Sequence, residues 1–398
     1  MMGSKPRVLV FSLAYLPFMG GAGFAIKETT DRLGGDFEFD LITYRFDSSW
    51  SRQERVGNIN IYRVGRGKDT KEYYGRPAAK TLYVLQAAWL AHKLNRQNHY
   101  SLAWGMMAAY AGMAALFFKW LNPRVPFLLT LQEGDPEEHI LKRVGPYYPL
   151  WKKIFRRADF VQAISNYLAD FGRRHGAKCP IEVVPNGVDV SIFTQEYVLE
   201  DLQKLRASLG IAPQDKVVIT TSRLVPKNAV DILIKAIALV RKTTPNVKCL
   251  ILGIGKDEEM LKNLARDSGL EREIMFPGNI LHKEMPKYLK ISDVFVRASR
   301  SEGLGNSFFE AMAAGLPIIG TNVGGIPDFL RDGETGLFVK VEDEKDLAEK
   351  ILLLLRDEPL RQKLIRQGKE VAVRDYSWDI VAERMAEIFN NLAQQKTG

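Results

Sequence analysis

Residues 300–317 read RSEGLGNSFFEAMAAGLP, and this stretch decides the interpretation of the whole chain. Two glutamates, Glu302 and Glu310, stand eight positions apart on either side of a glycine-containing loop that opens into a predicted helix. The N-terminus of a helix presents backbone N–H groups without intrahelical partners, and such an end attracts anions. Gly303 and Gly305 let the backbone approach a phosphate closely. The stretch therefore indicates a phosphate site.

The two glutamates extend that interpretation to sugars. Glu310, in the second turn of the predicted helix, can accept hydrogen bonds from two vicinal hydroxyls, such as those of a ribose. Glu302, on the loop, can reach hydroxyls of a second sugar. The alternative is an ordinary helix N-terminus with solvated carboxylates.

Around this stretch, short apolar runs alternate with amphipathic segments, which is typical of βαβ units. The second half contains predicted strands at Lys216–Thr220, Val247–Leu252, Ile274–Phe276, Val294–Arg297 and Pro317–Gly320, and predicted helices at Glu258–Ser268, Ser307–Ala314, Asp346–Leu355, Leu360–Arg374 and Trp378–Leu392. The first half contains predicted strands at Arg7–Ser12, Phe39–Thr43, Ile59–Arg63, Phe127–Leu131, Phe160–Ala163 and Ile181–Val184. It also contains a predicted turn at residues 20–23, a helix from there to about Leu33 and a second helix at Thr81–Asn95.

Two successive series of this kind predict an α/β protein with two Rossmann-like domains facing across a cleft. Ligands of such sheets lie beyond the carboxyl ends of the strands, so the cleft is the expected site. We place the first domain at residues 1–190, the second at 191–375 and a C-terminal helix that packs toward the first domain at 376–398.

The composition is that of a globular protein, with 46% hydrophobic and 26% charged residues. The two cysteines, Cys179 and Cys249, form neither a disulfide framework nor a zinc cluster. No secretory signal is visible, and the longest apolar stretches, Val84–Ala91 and Tyr110–Phe118, are shorter than the roughly 18–20 residues that span a bilayer. We expect a cytoplasmic protein, soluble or peripheral at the inner face of the cytoplasmic membrane.

The net positive charge comes entirely from the first half of the chain. Residues 1–190 contain 26 lysines and arginines against 17 aspartates and glutamates, whereas residues 191–398 contain 30 of each. This asymmetry predicts an anionic partner such as a membrane surface, a phosphorylated acceptor or a nucleic acid. Residues 147–157, YYPLWKKIFRR, combine aromatic side chains with four cations, as interfacial helices do. They predict docking on an anionic membrane to reach a lipid-linked acceptor; the alternative is a core-packed helix with a solvated basic face.

A family resemblance enters at residues 300–317, which closely resemble the E-x7-E signature of the retaining glycosyltransferases of family 4, with the GT-B fold. Further stretches resemble elements of that family in the same order, namely GGAG at 20–23, VPNGVD at 184–189, SRLVPK at 222–227, LGIG at 252–255, FPGN at 276–279 and VGGIP at 323–327. The resemblance spans nearly the whole chain, and it implies transfer of a sugar from a UDP- or GDP-sugar with retention of anomeric configuration.

The resemblance also implies a role for each matching position. Arg223 and Lys227 would neutralise the departing diphosphate, and Glu302 would hold the donor sugar. The donor-binding residues implied by the resemblance are Gly21, Gly253, Gly278, Asn279, Ile280, Leu304, Gly305, Asn306, Ser307 and Glu310. No Asp-x-Asp pair of the kind that holds a divalent ion on a diphosphate occurs, so we expect no obligatory metal and no other cofactor.

Two departures from the family pattern matter. In much of the family the clamp lysine stands five residues after the arginine, where this chain has Asn228, and Lys227 lies one residue earlier. The family's N-domain histidine is also missing, because neither Leu102–Met106 nor Thr130–Asp135 contains a histidine. As a hypothesis, contact with the acceptor falls to four polar residues after the strand Phe127–Leu131, which are Gln132, Glu133, Asp135 and His139. The alternative is that they form a solvated loop.

Other classes of protein fit the sequence less well. A nicotinamide-dependent oxidoreductase would need a third glycine after Gly253-x-Gly255, and position 258 is Glu. A nucleic-acid binder is suggested by charge alone, without a recognised binding motif. A GT-B-fold nucleotide-sugar epimerase and a catalytically inactive nucleotide-sugar binding protein share the fold and stay as alternatives.

Overall fold

A computed structural model describes residues 5–67 and 77–395 of the chain. The chain divides into two compact units. The first comprises Met1–Glu133, Glu137–Asn186 and Trp378–Gly398, and the second comprises Gly134–Pro136 and Gly187–Ser377. The predicted class, α/β with two Rossmann-like units, is confirmed. The division falls four residues before the expected boundary, and a three-residue segment of the first half groups with the second unit.

The first unit is built on an eight-stranded sheet in the order β3-β4-β2-β1-β5-β6-β7-β8. All neighbouring strands run parallel except β3, which is antiparallel to β4. The strands are β1 Arg7–Phe11, β2 Glu38–Tyr44, β3 Gln53–Val56, β4 Ile59–Val64, β5 Leu102–Met106, β6 Phe127–Leu131, β7 Phe160–Ala163 and β8 Ile181–Val183. The helices are α1 Gly21–Leu33, α2 Pro77–Asn98, α3 Tyr110–Leu121, α4 Glu137–Val144, α5 Tyr148–Arg157 and α6 Asn166–Arg174. Strands β5 and β6 are buried along their whole length, which explains their continuous apolar runs.

The C-terminal helix belongs to the first unit. Here Phe389 lies with its ring centroid 5.5 Å from that of Phe37 and 5.3 Å from that of Trp104. Asp379 accepts a 2.6 Å hydrogen bond from Arg32 of α1. The chain therefore leaves the second unit at residue 377 and completes the core of the first.

The second unit is built on a six-stranded parallel sheet in the order β11-β10-β9-β12-β13-β14. The strands are β9 Lys216–Thr221, β10 Val247–Leu252, β11 Ile274–Gly278, β12 Val294–Arg297, β13 Ile318–Thr321 and β14 Leu337–Val339. The helices are α7 Val190–Phe193, α8 Leu199–Ser208, α9 Val230–Arg241, α10 Glu258–Asp267, α11 Met285–Lys290, α12 Asn306–Ala314, α13 Glu344–Arg356 and α14 Glu358–Asp375, and the C-terminal helix is α15 Trp378–Gln395.

The strand order reverses between β9 and β12. Successive strands run from β9 toward one edge through β10 and β11, and from β12 toward the other edge. A crevice opens outside the carboxyl ends of the strands at such a point, and this is where sheets of this kind bind ligands. The loops after β9 and β12 are therefore the first place to look for a site in the second unit.

The stretch 147–157 differs from its prediction as a membrane-interface element. Trp151, Ile154 and Phe155 of α5 are buried, and the Trp151 ring centroid lies 4.9 Å from that of His175, which is itself buried. The aromatic side of this helix therefore packs into the first unit, as the alternative interpretation expects. Among the described residues, no helix combines the length and apolar character needed to cross a membrane.

Candidate active site

The glycine-containing loop and the helix that follows it lie directly after β12. Gly305 precedes α12 with φ of +93°, in the left-handed region that favours glycine. The chain after β13 packs closely against this loop at Gly324. A Cβ at Gly324 would lie 1.7 Å from the carbonyl oxygen of Glu302, so only glycine fits at this position. The predicted helix start is confirmed to within one residue. Leu304, Gly305 and Asn306 thus stand at the N-terminus of α12.

Arg297 joins this loop to its surroundings. It is the last residue of β12, and its side chain is 12% exposed. Its Nη2 lies 2.5 Å from Oε2 of Glu302. Its Nη1 donates a 2.7 Å hydrogen bond to the hydroxyl of Ser307, in the first turn of α12. One guanidinium therefore fixes both the loop carboxylate and the helix start.

The loop after β9 contributes two further cations. Arg223 is exposed, whereas Lys227 is partly buried and lies within electrostatic reach of both Glu302 and Arg223. Burial lowers the pKa of Lys227; the carboxylates of Glu302 and Asp135 oppose that shift, and Arg223 adds to it. Positive and negative groups from the β9 and β12 loops are thus gathered at the reversal point of the sheet.

The segment Gly134–Pro136 lies against the same loops. Lys227 Nζ donates a 2.6 Å hydrogen bond to the carbonyl oxygen of Gly134 and stands 3.3 Å from Oδ1 of Asp135. A Cβ at Gly134 would lie 3.7 Å from Oε1 of Glu302. Asp135 therefore shares the charged neighbourhood of Lys227 and Glu302.

Glu310 faces the loop after β11. Its Oε1 lies 3.2 Å from Nε2 of His282, just beyond the turn at Gly278, Asn279 and Ile280. The N–H of Gly253, after β10, donates a 2.8 Å hydrogen bond to the carbonyl oxygen of Gly278. The carboxyl ends of β10 and β11 thus carry the predicted nucleotide-side residues beside one another.

The amino-acid sequence of the chain matches two families of known proteins. The chain matches the family Glycosyltransferase Family 4 over residues 19–192 and the family Glycosyl transferases group 1 over residues 201–371. It is 30% identical to the lipopolysaccharide core biosynthesis glycosyltransferase LpsE of Rhizobium meliloti over 62% of this chain and 68% of LpsE. The chain belongs to the family 4, group 1 glycosyltransferases.

Two further comparisons concern a relative and a fold. The chain is 33% identical to the GDP-mannose-dependent monoacylated alpha-(1-6)-phosphatidylinositol monomannoside mannosyltransferase of Corynebacterium glutamicum, over 60% of this chain and 64% of that protein. The match therefore spans slightly less than two thirds of that relative. HepE from Anabaena, solved in complex with UDP-glucose, superposes with a TM-score of 0.77 at 19% identity, covering 97% of this chain and 99% of HepE. The fold is that of the GT-B glycosyltransferases.

In this family 4 chain, the position of the usual clamp lysine is held by Asn228. Its side chain is buried and donates a 2.6 Å hydrogen bond to the carbonyl oxygen of Arg223. Its Oδ1 accepts a 3.3 Å hydrogen bond from Nη2 of Arg297. The cation that touches this position therefore comes from β12 rather than from the β9 loop.

The predicted residues of the first unit have four separate environments. Gly21 begins α1, and His139 is exposed on α4. Gln132 donates a 3.1 Å hydrogen bond to Asn186. Glu133 is buried, and its Oε1 accepts a 2.6 Å hydrogen bond from the N–H of Ala108. Of the four residues predicted to contact the acceptor, Asp135 is the one that groups with the second unit and lies against its charged loops.

Sequence reasoning missed two residues of this site, Arg297 and His282. Arg297 ends a strand that was predicted correctly. From sequence alone, however, an arginine at the end of a strand is usually interpreted as a solvated surface cation. His282 follows the predicted turn at Gly278–Ile280 by two residues, and that closeness was its one signal. Among the described residues, no group of three or more His, Cys, Asp or Glu is arranged to hold a metal ion.

Proposed function

We propose that this chain is a retaining glycosyltransferase. It moves a sugar from a UDP- or GDP-sugar to a glycan, a lipid-linked sugar or a small-molecule acceptor, and it needs no metal ion. The observation that carries the proposal is a charged cluster beside the N-terminus of α12. In this cluster Arg297 pairs with Glu302, and Lys227 lies within electrostatic reach of both Glu302 and Arg223.

The electrostatics of that cluster suit cleavage of a sugar–diphosphate bond. When the bond between the anomeric carbon and the phosphate oxygen breaks, negative charge builds on the diphosphate. Arg223, Lys227 and the amides of residues 304–306 form a fixed set of positive groups for that charge. Because they are held in place before reaction, little reorganisation is needed in the transition state. In this scheme they take the place of a divalent ion.

Glu302 and Glu310 divide the recognition of the donor. Glu310, on the same side as the turn at Gly278–Ile280, binds the ribose hydroxyls. Glu302 binds the donor sugar, with Arg297 as a positioning residue that holds the carboxylate and Ser307 in register. Asp135, beside Lys227, lies where the acceptor hydroxyl meets that sugar in the proposed complex.

The donor choice rests on the relatives. The Corynebacterium enzyme is named for GDP-mannose, and HepE was solved with UDP-glucose. Both nucleotides therefore belong in the first test. The net charge of +9 in residues 1–190 supports a position at the anionic inner face of the cytoplasmic membrane, where lipid-linked acceptors lie.

The test is a donor screen with the full chain. UDP- and GDP-linked glucose, mannose and N-acetylglucosamine are incubated with and without EDTA, and both release of nucleoside diphosphate and the anomeric configuration of the product are measured. We expect one donor to be consumed equally well with EDTA and its sugar to appear with the configuration it had in the donor. Consumption of none of them, an inverted product, or loss of turnover with EDTA would each contradict a part of the proposal.

A further inference from the structure

Three helices of the first unit share an unusual composition. Helices α2, α3 and α5 read PAAKTLYVLQAAWLAHKLNRQN, YAGMAALFFKWL and YPLWKKIFRR, and none of these sequences contains an aspartate or glutamate. Together they contain eight lysines and arginines. Surface helices ordinarily carry both positive and negative side chains, so three helices with positive side chains alone are unusual.

The three helices are neighbours. Asn122, directly after α3, accepts a 3.0 Å hydrogen bond from Asn95 of α2, and its Oδ1 lies 3.1 Å from Nδ1 of His92. On the other side, Lys153 of α5 places its ammonium 5.7 Å from the ring centroid of Trp120 in α3. The positive charge therefore belongs to one continuous surface.

Large apolar side chains project from this basic surface. Trp89 of α2 is 58% exposed and Trp120 of α3 is 43% exposed. Leu82 and Leu85 precede Trp89 at helical spacing, and Leu121 adjoins Trp120, all three about half exposed. Two neighbouring helices thus expose five large apolar side chains, whereas a soluble surface normally spreads such residues singly.

A lysine lies beside each of the two tryptophans. Lys93 places its ammonium 5.7 Å from the ring centroid of Trp89, as Lys153 does at Trp120. Arg156 and Arg157 are exposed on α5. Lys119 is not part of this surface charge, because it is paired with Asp159 at 2.8 Å. Tryptophan beside lysine is the combination that suits the interface of a bilayer with anionic headgroups.

We propose that the exposed side of α2, α3 and α5, defined by Leu82, Leu85, Trp89, Trp120, Leu121 and Lys153, is a docking surface for an anionic lipid bilayer. Trp89 and Trp120 enter the headgroup region, and the lysines and arginines contact lipid phosphates. This inference rests on the proposed function and names the surface and the partner of its peripheral membrane association. The aromatic side of residues 147–157, which is buried, is not the part that meets the membrane. We expect anionic lipids because α2, α3 and α5 contribute cations and apolar side chains to this surface and contain no aspartate or glutamate.

The experiment is co-sedimentation of the full chain with vesicles of phosphatidylcholine alone or with added phosphatidylglycerol. We expect the wild-type chain to bind the anionic vesicles at least about tenfold more strongly, because each cation near such a surface contributes about fivefold. Trp89→Ser with Trp120→Ser should weaken binding about tenfold, through loss of buried apolar area. Lys93→Glu with Lys153→Glu should abolish the preference for phosphatidylglycerol.

The matched controls lie in the second unit. Val198→Ser with Leu199→Ser removes exposed apolar groups, and Lys242→Glu reverses an exposed charge; all should bind vesicles as the wild type does. Melting temperatures within about 2 °C of the wild type show that each variant is folded. Equal binding to neutral vesicles, or unchanged binding by both surface variants, overturns the inference. Donor turnover without lipid, measured on the same variants, separates this outcome from failure of the transferase proposal, since it should stay at the wild-type rate.

Discussion

Glu302 and Glu133 are two buried glutamates that follow strand ends, and their environments differ in one respect. Glu302 has the guanidinium of Arg297 at 2.5 Å, while Glu133 has the backbone N–H of Ala108 at 2.6 Å. Burial raises the pKa of Glu133 to about 7, against the weaker opposing effect of its backbone hydrogen bonds. Ion pairing favours the charged form of a carboxyl group, and burial favours the neutral form.

The difference shows how one residue type serves two purposes in this chain. Glu302, held in place by Arg297, suits a site where hydroxyls donate hydrogen bonds and cations gather. Glu133, with its pKa raised to about 7, suits a buried position two residues after the end of β6. The following substitutions test this division of roles.

Removing the charge of Glu302 has the largest expected effect. Glu302→Gln keeps the shape of the side chain but loses the anion that pairs with Arg297. We expect turnover to fall about 10²- to 10³-fold, the scale for loss of one preorganised electrostatic group. Initial rates with the donor found in the screen give the measurement. Glu334→Gln, an exposed carboxylate of the same unit, is the control and should leave the rate unchanged; a Glu302→Gln rate within threefold would refute the role.

Removing the cation tests the other half of the pair. Arg297→Met leaves Glu302 buried without its partner, which costs about 3 kcal/mol of stability. Arg297→Lys keeps the charge but loses the planar fork that reaches Glu302, Ser307 and Asn228 together. We therefore expect the lysine variant to melt nearer the wild type while its turnover stays reduced.

Two measurements distinguish a role of Arg297 in positioning Glu302 and Ser307 from a role in stability alone. Thermal melts and kcat/KM are compared for Arg297→Met, Arg297→Lys and the exposed control Arg331→Met. Full activity of Arg297→Lys would mean that charge alone matters, and a melting temperature of Arg297→Met equal to the wild type would contradict a buried pair.

The raised pKa of Glu133 predicts that the folded protein becomes less stable as the pH rises. Its folded pKa of about 7 lies above the ordinary carboxyl value, so the folded state keeps a proton that the unfolded state releases. Stability from this group is present at low pH and is lost as the pH rises through 7, by at most about 3 kcal/mol. Glu133→Gln should flatten the melting temperature between pH 5 and 8 relative to the wild type. A steeper profile in the variant, or no difference, would show that Glu133 is charged throughout.

Asp135 carries the smallest expected effect. Asp135→Asn removes a carboxylate 3.3 Å from Lys227 while keeping its shape. If it orients the acceptor, turnover falls about tenfold and donor affinity stays within twofold, since orientation affects the rate more than donor binding. Comparing kcat with a donor dissociation constant from calorimetry gives the answer, and unchanged turnover would remove Asp135 from the site.

Much of the fold was predictable from apolar runs. Strands β6, β7, β10 and β12 match their predicted bounds to the residue, because buried parallel strands are short apolar runs between turn residues. The edge strand β3, QERV, was missed because it is largely exposed and has no apolar pattern. Helix α9 was also missed, since its branched apolar residues are compatible with either a helix or a strand.

The site was predictable where the residues stand close together in sequence. Glu302, Glu310 and the loop between them form one segment, so their pattern could be seen. The contact of Arg297 with Asn228 joins positions 69 apart, and the contact of His282 with Glu310 joins positions 28 apart. Such pairs need the three-dimensional arrangement of the sheet, which sequence spacing does not contain.

In the proposed function, the loops after β9 and β12 bind a nucleoside diphosphate. Calorimetric titration of the wild type, Lys227→Met and Arg223→Ala with UDP and GDP in EDTA tests it directly. We expect one-to-one binding of one of the two nucleotides by the wild type and at least about tenfold weaker binding by both variants, because each variant loses a charge-assisted contact. Binding of neither nucleotide by the wild type, or equal affinity in all three proteins, would contradict it.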